Sequence, residues 1–315
     1  MFIRYITLTF SLFYFLIAPA IAAEKTLSWA GCGISKKGFM KDLAEAYEKK
    51  TGIKISIAGG GATKGLRQVA TGKINLGGSC RLPLILRNKQ GLRHVSDKEN
   101  NLKIIPVGWD ALVVIVHKDN KIIESITPEQ LKGLLTGKIK NWSQLGGKSD
   151  KPVNLYVRRG KISGVGLTLR QQLFNNIDQE FAKSATVMKS SGKIEKAIEK
   201  DPYGIAVSGI SSSRHRKVHL LKLDNIEPTM ENLRQSKYSL YRILFLVAPA
   251  DYAKQPELKA FVDFALSIEG TRVIKKAGTL PYRLGLGLLR TATSFEYMRS
   301  MGIVDKEGLY TLGGN

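Results

Sequence analysis

The chain has 315 residues and carries 49 Lys and Arg against 26 Asp and Glu, a formal charge of +23. That length gives room for two lobes of ordinary size, and that charge favours anions, acidic surfaces or nucleic acid as partners. Nucleic acid is set aside: the lysines are spread along the whole chain, with no arginine-aromatic interleaving, zinc-finger spacing or RNA-binding signature. The two cysteines, Cys32 and Cys80, are too few and too far apart for a CxxCH haem site, a CxxC redox motif or a four-ligand zinc site.

The elements follow in order. Arg4, the apolar run from Ile6 to Ile17, and the small residues Ala20 and Ala22 form an export signal, cleaved after Ala22 or Ala23. The apolar run is short for a bilayer span and ends at Pro19. The mature protein is expected outside the cytoplasm, in a bacterial periplasm. Thr26 to Ala30 is a strand turned by Gly31-Cys32-Gly33. Lys37 to Lys50 has apolar residues at helical spacing (Phe39, Met40, Leu43, Ala44, Tyr47) and closes at Thr51-Gly52. Ile53 to Ala58 alternates as a second strand, Gly59 to Gly61 turns, Lys64 to Ala70 is helical, and Ile74 to Leu76 is a third strand. A β-α-β-α-β order predicts a parallel, doubly wound sheet whose ligands bind beyond the carboxyl ends of the strands. The glycine turn of GGGATKG feeds a helix, so unpaired N–H groups and the positive end of a helix dipole meet where an anion would sit.

Val107 to His117, VGWDALVVIVH, is an apolar run long enough to cross between lobes. TPEQ at Thr127 is a capping box with an N1 proline. Val153 to Val157 is a strand, and RRGKISG leads into a helix from Val165 to Phe174. A short helix from Ile194 to Glu199 and a strand from Ile205 to Ser208 follow. Tyr241 to Val247 is a second long apolar run that returns the chain to the first lobe, and Pro256 to Lys276 is a helix pair. The tail from Leu284 to Asn315 is weakly patterned. There is no GxSxG or HExxH motif, and GGGATKG lacks the Gly-Lys-Ser/Thr ending of a Walker loop.

KDLAEAYEKKTGIKI, GGGATKGLRQ, INLGGS, GKIKNWSQLGG, VRRGKISG, DPYGIAVSG and LSIEGTRVIKKAG occur in an order that resembles the phosphate-binding proteins of ABC transporters, within the type II periplasmic solute-binding proteins. The resemblance runs over residues 27 to 282. It implies an α/β fold with two doubly wound lobes joined by two crossing strands and a ligand cleft between them. Lobe I would take 24–113 and 247–283, lobe II 114–246, with 284–315 as a tail. It implies a non-enzymatic monomer without a cofactor that captures a small oxyanion and passes it to ABC transporter membrane subunits.

The same resemblance implies site residues. In the second lobe Arg159, with Arg158 as the neighbouring candidate, precedes Ser163, Gly164 and Val165, where an arginine fork, a hydroxyl and helix N–H groups would meet the anion. In the first lobe Gly33, Ile34, Ser35, Ala62, Thr63, Cys80 and Arg81 take the ligand positions. Here the chain departs from the family: Ala62 lacks the expected hydroxyl, Ile34 stands for a threonine, and Cys80 stands for the acidic residue, with Arg81 beside it.

The turns after the first and third strands are neighbours in a doubly wound sheet, so Cys32 and Cys80 are expected close together at the cleft, joined as a disulfide. An alternative keeps them reduced, as a redox- or metal-sensing pair on the same scaffold.

Overall fold

The computed structural model describes residues 26–291, 295–300 and 303–309. The expected export segment, with Arg4 and the Ala20 and Ala22 cleavage region, lies outside them.

Strand β1 (Thr26–Gly31) feeds helix α1, which runs unbroken through Gly33–Ser35, a π-turn at Lys36–Met40, and Lys41–Thr51. Gly52, in the left-handed conformation, ends it. Strand β2 (Lys54–Gly59), helix α2 (Ala62–Ala70) and strand β3 (Leu76–Ser79) complete the first unit. β1 pairs in parallel with both β2 and β3.

The long apolar run is strand β4 (Leu102–His117), buried along almost its whole length. Helix α3 (Pro128–Thr136) starts at the expected capping box, in which Thr127 and Gln130 bond reciprocally. Strand β5 (Asn154–Arg158), helix α4 (Gly164–Phe174), strand β6 (Thr186–Met188), helix α5 (Ser191–Ile198) and strand β7 (Gly204–Gly209) build the second unit, with β5 parallel to both β6 and β7. A one-turn helix, α6 (Ile210–Ser213), follows.

Strand β8 (Tyr241–Pro249) returns antiparallel to β4, from Tyr241 opposite Ala111 to Pro249 opposite Leu102. β8 also pairs with β3, and β4 with β7, so the sheet order is β2-β1-β3-β8-β4-β7-β5-β6. The two crossing strands are therefore the middle of one continuous sheet. Both are covered on both faces, which is why they read as unbroken apolar runs rather than as alternation. Each Val, Leu or Ile fully buried there contributes about 1.5–3 kcal/mol of hydrophobic stabilisation.

Two expectations shift. The third strand begins two residues late and takes in Gly77 and Gly78. Those glycines are strand residues because of close approach: a Cβ on Gly78 would stand 2.1 Å from the Trp29 ring, and one on Gly77 2.9 Å from the Gly65 carbonyl. The weakly patterned tail also has structure. Helices α7 (Pro256–Leu266) and α8 (Ile268–Lys276) are followed by a 3-10 segment, Tyr282–Thr291. It packs on β4, where Trp109 stacks on Tyr282 and donates Nε1–H to its carbonyl at 3.0 Å.

Candidate functional site

The carboxyl ends of β1, β2, β3 and β5 face one cavity of about 270 Å³, as the topology requires. Four helices direct their N-termini at it, through Gly33 of α1, Ala62 of α2, Gly164 and Val165 of α4, and Ser191 and Gly192 of α5. The first N–H groups of a helix have no partner within it, so these ends converge as donors with aligned dipoles. Lys36, Lys37, Lys41 and Arg158 add positive charge, and among the described residues no carboxylate lines the cavity. The arrangement suits an anion and nothing cationic.

Local structure fixes each end. Gly60 and Gly61, with φ of 144° and 91°, make the turn into α2, and Gly61 N–H bonds to the Gly31 carbonyl at 2.9 Å. Cys32 N–H bonds to the Gly78 carbonyl at 2.9 Å, which holds the turn after β1 over β3. Ser163 caps α4 by accepting from Gly166 N–H at 3.3 Å, and Ser190 caps α5 by accepting from Lys193 N–H at 3.2 Å.

Of the residues expected at the ligand, Gly33, Ala62, Cys80, Gly164 and Val165 line this cavity. Thr63, Arg159 and Ser163 line a smaller adjoining space of about 220 Å³, together with Lys189. Ile34 and Ser35 lie fully buried behind Gly33 and line neither. The Ser35 hydroxyl has no hydrogen-bond partner among the described residues.

Arg81 needs correction. All five of its N–H groups are engaged: Nε to the Ile162 carbonyl, Nη1 to the Leu82 carbonyl and Glu99 Oε2, Nη2 to Thr63 Oγ1 and Glu99 Oε1. It faces Glu99 rather than the cleft, and it also occupies the Thr63 hydroxyl. The two second-lobe arginines differ in placement. Arg159 is exposed, whereas Arg158 is half-buried and lines both spaces. Arg158 Nη1 is anchored on the Met188 carbonyl at 3.0 Å, and its Nη2 reaches across to Gly61.

Sequence reasoning missed Lys36, Lys37, Lys41 and the Ser190–Gly192 turn. A signal existed in Ser190-Ser191-Gly192, a serine cap ahead of an amphipathic run. Lys37 is held by Glu195, whose Oε2 is 3.6 Å from Nζ and 3.1 Å from Arg216 Nε.

Cys32 and Cys80 meet as expected, but the expected disulfide is not formed. Both are free thiols, buried, with Sγ atoms 2.7 Å apart against about 2.05 Å for a bond. The hydrogen bond from Cys80 lowers the Cys32 pKa to about 6; burial opposes this, and the charge of Arg242 and the N–H dipoles of Ser35 and Ile34 assist it. Cys80 is pushed well above the ordinary thiol range by the bond to Cys32 and by burial. Arg242, on β8, is itself buried and bonds Asp110 Oδ2 of β4 at 3.1 Å.

Residues 30–269 match the family profile described as a PBP superfamily domain. The phosphate-binding protein PstS of Borreliella burgdorferi is 28% identical over 190 residues, 58% of this chain and 67% of that protein. PstS of Bacillus subtilis is 27% identical over 219 residues, 70% of this chain and 68% of that protein. A candidate phosphate ABC transporter substrate-binding protein of Clostridium perfringens, solved with bound phosphate, superposes with a TM-score of 0.70 at 26% identity, over 82% of this chain and 99% of that one. A phosphate-binding protein from Stenotrophomonas maltophilia, at 12% identity and a TM-score of 0.62 over 88% of this chain and 94% of that one, shares the fold alone.

Proposed function

The chain belongs to the PBP superfamily, and on that premise we propose that it is an extracytoplasmic solute-binding protein that captures a phosphate-like oxyanion for an ABC transporter. The observation that carries the reading is the convergence of four helix N-termini, three lysines and Arg158 on one cavity free of acidic lining. The relatives named for phosphate binding support it. A redox or metal sensor draws no comparable support from them.

In this reading the N–H groups of Gly33, Ala62, Gly164 and Val165 hold the oxyanion and Arg158 clamps it from the second lobe. Closure of the lobes about β4 and β8 excludes water and strengthens each contact. The residues before Glu24 are removed on export, lobe I is 24–113 with 247–283, and lobe II is 114–246. The protein acts as a monomer that docks on the transporter's membrane subunits. In an oxidising compartment Cys32 and Cys80 close to a disulfide.

Isothermal titration with phosphate, sulfate, molybdate and tungstate tests the reading. Saturable heat with at least one anion, with affinity about ten- to hundredfold weaker in Arg158→Ala, is expected. No heat with any of the four sinks it.

A further inference from the structure

We propose that Cys32 and Cys80 are a redox-active pair set into the anion cradle, and that closing them into a disulfide raises the affinity of the cradle for its oxyanion. The inference rests on the oxyanion reading above and adds what regulates it.

Three observations place the pair in the cradle rather than merely near it. Both cysteines line the main cavity, at the ends of β1 and β3. Cys32 stands at the N-terminus of α1, and Cys80 Sγ packs against the N-terminus of α4, 2.2 Å from where a Cβ on Gly164 would be. The sulfurs therefore sit at two of the four helix ends that would otherwise face a ligand. Third, Arg242 is buried, and its Nη1 has no hydrogen-bond partner among the described residues.

The charges around the pair come from every strand packed on it: Arg242 from β8, Arg158 from β5 and Asp110 from β4. The hydrogen bond from Cys80, with the charge of Arg242 and the N–H groups of Ser35 and Ile34, outweighs burial at Cys32. That setting favours a thiolate on Cys32. A thiolate here is a built-in anion. It uses the dipoles and guanidinium charge that the captured oxyanion needs, and it repels that oxyanion across the cavity.

Oxidation removes this competitor. The Cys32 thiolate attacks a low-molecular-weight disulfide, RSSR, forming a Cys32–S–S–R bond and releasing RS⁻. Cys80 gives its proton to that thiolate and attacks the Cys32 sulfur, releasing a second RS⁻. The sum is Cys–S⁻ plus Cys–SH plus RSSR giving Cys–S–S–Cys plus RS⁻ plus RSH; two electrons pass from the cysteine pair to RSSR. The product is neutral, so Arg158 and the helix ends are left to an external anion.

The test compares the exported full chain oxidised with glutathione disulfide and the same protein reduced with dithiothreitol. Each form is checked by iodoacetamide mass shift and titrated with phosphate and with sulfate. At pH 8 the oxidised form is expected to bind at least about tenfold tighter, the effect of removing one like charge a few ångströms from the ligand. For sulfate, which does not protonate in this range, the gap should narrow as pH falls through the Cys32 titration. Cys80→Ser should bind weakly under both conditions, and Cys32→Ser should show no difference between them. Equal affinities of the two forms, tighter binding by the reduced form, or failure of the disulfide to form would overturn the proposal while leaving oxyanion binding standing. Absence of binding by either form would remove both.

Discussion

Arg81 and Glu99 form a two-pronged ion pair, Nη1 to Oε2 and Nη2 to Oε1, each 2.8 Å, with both side chains buried. The pair joins the turn after β3 to the loop ahead of β4, and Arg81 also holds the Ile162 carbonyl of the second unit at 2.9 Å. Arg81→Met would leave the Glu99 carboxylate buried with Arg67 Nε at 3.2 Å and the Leu84 N–H at 3.0 Å as its partners among the described residues. Removing one partner of a buried pair costs about 3–5 kcal/mol. Urea denaturation should show that loss, and the folded variant should keep its anion affinity within about threefold because Arg81 has no N–H left to give. A large loss of affinity with unchanged stability would return Arg81 to the ligand.

The same pair predicts an acid response. Burial pushes the Glu99 pKa up, but the hydrogen bonds and charge of Arg81, the Leu84 N–H and Arg67 prevail and hold it below the ordinary range. A carboxyl depressed in the folded state stabilises the protein fully above its unfolded pKa, about 4.3. That contribution is lost as pH falls through the folded value. The stability gap between wild type and Glu99→Gln should therefore be constant from pH 6 to 7 and close below about pH 4. A gap that widens in acid would contradict it.

Arg158 and Arg159 separate by function. Arg158→Ala removes the charged fork that faces the cavity, and charge-assisted hydrogen bonds of this kind are each about 1.5–3 kcal/mol. Anion affinity should fall about ten- to hundredfold, with Arg159→Ala within about threefold of wild type. Titration calorimetry on both variants decides, and the reverse ranking would restore Arg159 as the clamp.

Much of the fold could be read from local pattern. The helices from Ala62, Pro128, Gly164 and Pro256 appear close to where periodicity and capping residues put them. What sequence could not supply was which backbone must approach which. Gly77 and Gly78 look like a turn, and only the Trp29 ring and the Gly65 carbonyl above them make them strand. The site was legible in its turns and illegible in its side chains. Arg81 sits beside a ligand position in sequence, yet Glu99, 18 residues on, takes its guanidinium. Such long-range pairing leaves no local signature.

Gly78→Ala tests the close approach. The added methyl would meet the buried Trp29 ring at 2.1 Å, with no flexible chain to move aside. Overpacking of a core usually costs about 1–3 kcal/mol. Because Gly78 also accepts from Cys32 N–H, the strain should reach the turn that carries the thiol pair. A thermal shift within error of wild type would show that the ring can move.

The reduced protein should carry its own pH signature. Cys32 titrates at about 6 when folded against 9.0 for the free thiol, chiefly through the hydrogen bond from Cys80. Between those values the unfolded chain holds a proton that the folded protein has released. Stability must then rise with pH through that window, and be lost as pH falls through the folded value. Cys80, pushed well above the ordinary range by its bond to Cys32 and by burial, keeps its proton throughout and reverses the trend only at higher pH, where the unfolded thiol ionises first. The disulfide form has neither proton, so subtracting its urea-denaturation profile from that of the reduced form isolates the pair from the histidines. The difference should climb from pH 6 to 9. A flat difference would mean that Cys32 stays a neutral thiol beside Arg242.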